Sequence, residues 1–412
     1  MSTNELFVLP KTLQRFHEGP LSVHIDAYAS RLLEQGFSRA KACDKIRLIA
    51  DLSGWLQRKS LGAKDIDPQI LRRYLKDCKE YMHPGRGVSS TVQELLDMLC
   101  EEGIASKECS PKATRRYERA EEDFKHYLAQ ERGLSARTLA NYLPFVHQLL
   151  AERFGNGPIE FAKLRATDIT GFVQRHARDH SPGRNGPMVA ALRAFLRHLR
   201  HRGKIKSDLA ACVPTIANWS HVTLPKFLPT GQVEQVLKHC DRRHTTGRRD
   251  YAILLLLARL GLRAGEVTAL TLDDIDWKEG NLRLRGKGGR EAELPLPVDV
   301  GEAITGYLRN GRPRCAGRCL FIRERAPRVG LARRAISNLV KRALVRAVVH
   351  SPRQGAHLFR HSLATEMLRQ GATLSEIGEL LRHQHPNTTM IYAKVDLPAL
   401  RRLAPAWLGG GQ

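Results

Sequence analysis

The chain has 412 residues, of which 67 are Lys or Arg and 42 are Asp or Glu, so it carries a formal net charge of +25. An apolar share of 42% excludes a wholly disordered chain, and the length predicts two or three domains. The charge predicts a polyanionic partner, with nucleic acid the first candidate and an anionic membrane surface the second. The first residues, MSTNELFVLPK, lack the charged start and apolar stretch of a secretory signal. The longest apolar run, AILLLLA at 252–258, is too short to span a bilayer. The cysteines are scattered, and Cys315 and Cys319 have no second pair at ligand spacing, so reduced thiols in a cytoplasmic protein without a metal are expected.

Residues 24–56, HIDAYASRLLEQGFSRAKACDKIRLIADLSGWL, predict an amphipathic helix, a Gly36-Phe37-Ser38 turn and a second amphipathic helix. Residues 123–150 repeat that plan around Gly133-Leu134-Ser135. An Asp-Ile helix start follows each, near Asp65 and near Asp168, and each stretch closes on a helix and a glycine, LLDMLCEEGIA and LRAFLRHLRHRGKI. The spacing of about 100 residues exceeds solenoid periods. Two small helical domains of similar design are expected, with chance likeness of amphipathic helices as the alternative. Basic residues gather in the second, in RHARDHSPGRNG and RHLRHRGKIK, where a phosphate-contacting face competes with a merely solvated one.

Residues 212–229, CVPTIANWSHVTLPKFLP, hold three prolines and no helical period, which marks a linker. Next comes TGQVEQVLKHC, a helix with Thr230 as the expected N-cap. RRDYAILLLLARLGLRAGEVTALTLDDIDW predicts a buried helix, a break at Gly261 and a new helix. NLRLRGKGGREAELPL alternates around a Gly-rich turn and predicts a β-hairpin, after which helices run to the end.

Several residues in this last part invite a chemical reading. Arg263 sits at a helix start, where a cation is disfavoured unless it meets an anion that the helix end also attracts. Glu266 is spaced to hold its guanidinium. Lys287, in the GKGG turn, reads as a solvated lysine unless the flanking glycines bring it to a nucleic-acid backbone. His357 and Arg360 share a helix face in HLFRHSLAT, although the same spacing recurs at His83, His239 and His350. His383 ends a helix that opens with a Thr373–Glu376 capping box and carries Ile377, Leu380 and Leu381 on one side. Pro386 starts a short helix bearing Tyr392. Taken singly these are a surface arginine, a helix-end histidine and a core tyrosine, and a phenol with an unperturbed pKa near 10 needs activation before it attacks anything.

The ordered set Arg263, Lys287, His357, Arg360, His383 and Tyr392, carried by LGLRAGEV, GKGGRE, HLFRHSLAT and LLRHQHPNTTMIY, resembles the catalytic signature of the tyrosine recombinase (phage integrase-like) family. LPKFLPTGQVEQVL resembles that family's entry into its catalytic domain, and 112–210 its core-binding domain, so the resemblance spans about residues 112–400. It departs at Arg382, where the family usually has Gly. The extra N-terminal unit is similar to that of long mobile-element recombinases, including those encoded as recombinase trios. The resemblance implies a mostly α fold with a small β-sheet in the catalytic domain. Its division would be an added helical domain at 1–110, a helical SAM-like core-binding domain at 111–211, a linker at 212–228 and an α+β catalytic domain at 229–412.

The implied reaction is attack of Tyr392 on a DNA phosphodiester, giving a 3′-phosphotyrosyl link and a free 5′-hydroxyl. Arg263 and Arg360 would bind the nonbridging oxygens, His383 would add a hydrogen bond, His357 would assist proton transfer and Lys287 would protonate the leaving oxygen. No metal or other cofactor is implied. The partner would be double-stranded DNA, bound by a homo-tetramer or by a hetero-assembly with related recombinases, in a nucleoid-associated cytoplasmic protein. A tail helix with Leu397, Leu400, Leu403 and Trp407 would dock in cis or in trans. The competing expectations are a type IB topoisomerase-like nicking enzyme and a non-catalytic accessory of a recombinase set.

Overall fold

The computed structural model describes residues 6–7, 16, 18–81, 87–105, 117–155, 157–179, 182–216, 224–286 and 291–395. It divides into two compact units, 1–109 with 224–412, and 110–223. Lys287 and the tail at 396–412 lie outside the described residues.

The N-terminal helices are α1 (Ser22–Glu34), α2 (Arg39–Arg58), α3 (Pro68–Tyr81) and α4 (Val88–Glu101). Their inward stripes, among them Ile25, Tyr28 and Leu32 of α1 and Ile46, Ile49 and Leu56 of α2, make one core. Gly36 ends α1 in the left-handed region at φ 80°. There its N–H donates to the Leu33 carbonyl and that of Phe37 to the Leu32 carbonyl, the hydrogen-bond pattern of a Schellman turn. Ser38 then caps α2 by accepting from the Lys41 N–H.

The second unit holds α5 (Glu118–His126), α6 (Ala136–Phe154), α7 (Ala166–Asp179) and α8 (Pro182–His201), packed on a core that includes Phe124, Phe172 and Phe195. A single wide turn at Tyr127–Glu131 continues α5. Ser135 caps α6 as Ser38 caps α2, so the two Gly-apolar-Ser turns share one construction.

The C-terminal part comprises α9 (Thr230–Lys238), α10 (Thr245–Arg259), α11 (Ala264–Ala269), β1 (Ile275–Asp276), β2 (Asn281–Arg285), β3 (Glu291–Pro295), α12 (Val298–Asn310), α13 (Arg333–Arg346), α14 (His357–Arg369), α15 (Leu374–Leu380) and α16 (Pro386–Thr389), with a tight turn at Met390–Val395. The three strands are antiparallel in the order β1-β2-β3, with Leu282 opposite Leu294 and both facing the core. Helix α10 runs through the middle of that core, where Ala252 to Leu257 are all sequestered from solvent. No helix among the described residues is long and apolar enough to cross a membrane.

Two local expectations are corrected. Pro229, not Thr230, holds the N-cap of α9, because the Thr230 hydroxyl donates to Glu366 of α14 at 2.6 Å rather than serving its own helix. Helix α15 stops at Leu380, so His383 lies beyond its end instead of in its last turn.

Candidate active site

Helix α10 gives way at Gly261, whose φ is 57°. That turn delivers Arg263 to the start of α11. There the Glu266 carboxylate accepts the Arg263 backbone N–H at 2.9 Å and its Nη1 at 2.7 Å. The spacing therefore does what it promised: the first-turn glutamate closes the helix end and holds the guanidinium at once. A bound carboxylate also resolves the awkward placement of a cation at a helix N-terminus.

Arg360, on the buried side of α14, is 3% exposed. Its Nη1 donates to the Gly261 carbonyl at 2.6 Å and its Nη2 to the Leu381 carbonyl. One side chain thus ties the α10–α11 turn to the end of α15. Burial first, then Arg263 and Arg382, lower its pKa to about 10, which still leaves it cationic at neutral pH. His357 stands at the exposed start of α14, its ring centroid 6.4 Å from that of His361.

The end of α15 explains the unusual Arg382. Its N–H donates to the Glu379 carbonyl and that of His383 to the Gly378 carbonyl, both at 2.9 Å. This is the turn that Gly36 makes after α1, and it requires a left-handed residue. Arg382 adopts φ 54° there, at a cost of about 1–2 kcal/mol for a side chain with a Cβ. The compensation is visible. Its Nη2 donates to Glu266 at 3.0 Å and its Nη1 to the Leu380 carbonyl at 2.9 Å. Glu266 is consequently shared by two arginines. Burial alone would raise its pKa, but the Arg263 N–H and the two guanidinium groups bring it below the ordinary glutamate value.

His383 leaves that turn with Nδ1 2.7 Å from Thr389 Oγ1 and its ring parallel to Tyr392, at 8° between planes and 6.4 Å between centroids. Burial, then Arg360 and Arg263, push its pKa down to about 4, so it is neutral near pH 7. Tyr392 lies on the Met390–Val395 turn and is 1% exposed. Burial pushes its pKa up to about 12 against the opposing pull of Arg360 and Arg263. Its Oη lies 3.0 Å from Nδ1 of His361, a residue outside the set picked from the sequence. The HLFRHSLAT stretch contains His361 in plain view, but its meaning depends on a tyrosine 31 residues later in the chain.

The site thus gathers Arg263 and Arg382 on one carboxylate, with Arg360 and a buried phenol beside them. The phage integrase family profile matches residues 226–397, the stretch that holds all of these groups. A protein of Sinorhizobium fredii named as an integrase/recombinase is 44% identical over 405 residues, covering 97% of this chain and 98% of that protein. The tyrosine recombinase XerD of Listeria innocua is 31% identical over 279 residues, 66% of this chain and 93% of XerD. The chain belongs to the phage integrase family of tyrosine recombinases.

The recombinase is an enzyme that cleaves and rejoins DNA strands by transesterification, and neither the topoisomerase-like nor the non-catalytic accessory reading is favoured. Its fold is that of the XerH site-specific recombinase in a complex described as post-cleavage, with a TM-score of 0.56 and 17% identity over 82% of this chain and 94% of that one. The structure of the Tn1549 transposon integrase is similar too, at a TM-score of 0.50 and 17% identity over 69% of this chain and 99% of that one.

Two substitutions test how this recombinase holds its site together. Glu266→Gln leaves two guanidinium groups facing a neutral amide, and Glu266 is 8% exposed. A loss of about 3 kcal/mol in denaturant unfolding is expected, the usual cost of removing one partner from a buried pair. Gly261→Ala puts a Cβ 2.7 Å from Leu381 Cδ2 and 3.1 Å from Leu363 Cδ2 on a left-handed backbone. It is expected to destabilise the protein by about 2–3 kcal/mol, read as a lowered melting temperature.

Proposed function

We propose that this recombinase exchanges double-stranded DNA at a specific site through a 3′-phosphotyrosyl intermediate on Tyr392 and a Holliday junction. The observation that carries the residue assignment is the meeting of Arg263, Arg360, His383 and Tyr392 in one cluster, drawn from separate stretches of chain. Attack on phosphorus places extra negative charge on the nonbridging oxygens. Arg263 and Arg360 answer it with fixed positive charge and directed N–H groups, which need no reorganisation when the charge appears. His383, with Nδ1 engaged by Thr389, offers its other ring nitrogen as a further donor. Lys287 protonates the leaving 5′-oxygen, and His357 assists at the edge of the site. Because the phosphoester is exchanged and not hydrolysed, rejoining needs no nucleotide cofactor.

The same reading assigns residues 1–110 and 111–211 to two helical domains, the second gripping DNA, with a linker at 212–228 before the catalytic domain at 229–412. The net charge of +25 suits a surface that tracks phosphates. The working assembly is a tetramer on paired sites, of this chain alone or with related recombinases of a trio, acting on chromosomal DNA in the cytoplasm.

The test is a trap for the covalent product. The protein is incubated with nicked DNA fragments from around its own coding region, denatured, and the DNA that stays attached to peptide is sequenced. Adducts at one recurrent sequence are expected. Adducts without sequence preference would point to nicking and rejoining alone, and tight binding with no adduct would overturn the catalytic assignment for the isolated protein.

A further inference from the structure

Resting on that assignment of Tyr392, we infer that His361 is the group that takes the tyrosine proton during strand cleavage and returns it during rejoining. The reason is positional. Tyr392 Oη must lose its proton as its bond to phosphorus forms, and among the described residues its hydrogen-bond partner is Nδ1 of His361 at 3.0 Å. The rings meet edge to face at 5.7 Å between centroids, so the pair is held by packing as well as by the hydrogen bond. The other histidine beside Tyr392, His383, lies parallel to the phenol with Nδ1 occupied by Thr389, an orientation that stacks on the ring instead of addressing the hydroxyl.

Burial keeps both groups of the pair uncharged, and the surrounding charges add to this for His361. Arg353, His357 and Arg360 face His361 from its own helix and the segment before it, while His383 and Tyr392 face it from the α15–α16 region. Burial first, then His357, Arg353 and Arg360, hold His361 neutral, and a neutral imidazole with its proton on Nε2 accepts from the hydroxyl at Nδ1. The phenol is held neutral as well. Arg360 acts on both partners, keeping a proton off His361 and favouring the ionised phenol of Tyr392.

The step balances. The Oη–H proton passes to Nδ1, the Oη–phosphorus bond forms, the bond from phosphorus to the 5′-oxygen breaks, and that oxygen takes a proton from Lys287. In rejoining, the 5′-hydroxyl attacks phosphorus, its proton returns to Lys287, and Oη leaves and recovers its proton from His361.

The experiment compares wild type with His361→Asn and His361→Ala in single-turnover cleavage of a nicked duplex carrying the sequence recovered in the adduct trap. Asparagine can accept the Tyr392 hydrogen bond but cannot take up its proton. Loss of cleavage by about 10²-fold or more in both variants is expected, with DNA binding and melting temperature near wild type. Added imidazole is expected to restore part of the rate in His361→Ala only. The variants are also expected to gain rate steeply with pH up to 9, where wild type is flatter. Asparagine cleaving within about threefold of wild type would overturn the inference and reduce His361 to a positioning residue. So would a loss that neither imidazole nor pH changes. If wild type itself forms no Tyr392 adduct, the assignment of the nucleophile fails first, and the two failures are told apart.

Discussion

Replacing Tyr392 with phenylalanine is expected to abolish the covalent protein–DNA product while sparing DNA binding and the fold. The reasoning separates the ring from the oxygen. The Tyr392 ring is 1% exposed and packs with Ala364, Ile377 and Leu381, and phenylalanine keeps that volume. What is lost is one hydrogen bond to His361, worth about 1 kcal/mol. Stability should therefore change little, whereas the only atom proposed to bond to phosphorus is gone. The adduct should be undetectable on denaturing gels at any time of incubation, and the complex with DNA should form with an affinity close to wild type. Persistent adducts in this variant would move the nucleophile to another residue.

Replacing Arg360 with alanine is expected to damage both the reaction and the fold. On the reaction side, it removes a cation proposed to meet the developing charge, an effect of about 10²–10³ in rate. On the structural side, the carbonyls of Gly261 and Leu381 lose their guanidinium partner inside the protein. Each orphaned acceptor costs about 1–3 kcal/mol, so unfolding should become easier by several kcal/mol in sum. Arg360→Lys separates the two roles. A single ammonium keeps a positive charge but cannot reach both carbonyls with a planar fork, so its melting temperature should recover only in part and its cleavage rate should stay low. A lysine variant with wild-type cleavage would show that charge alone suffices at this position.

Arg382 shows why a local departure from a family pattern need not disable a site. Read along the chain, it is a bulky cation at a turn that asks for glycine. In the folded protein the cost of the left-handed backbone is set against an ion pair with Glu266 and a hydrogen bond to the Leu380 carbonyl. Its Nε has no hydrogen-bond partner among the described residues, so the side chain is accommodated without being fully satisfied. No pattern of neighbours in the chain could reveal that Glu266, 116 residues earlier, would be shared between Arg263 and Arg382.

Much of the molecule was legible without coordinates because its signals are local. The Gly-apolar-Ser turns, the Thr373–Glu376 capping box, Pro386 at a helix start, the hairpin from Asn281 to Pro295 and the buried α10 each depend on hydrogen bonds or periodicity within a few residues. The Arg263–Glu266 pairing was legible for the same reason, being a contact inside one helical turn. The family was legible because its signature residues keep their order along the chain. Tertiary structure alone decided that Arg360 ties two turns together, that His361 and not a residue of the signature meets the Tyr392 hydroxyl, and that Thr230 turns to Glu366 instead of capping its helix. These contacts join residues 31 to 136 positions apart, and which side chain wins such a contact depends on packing that no local pattern encodes.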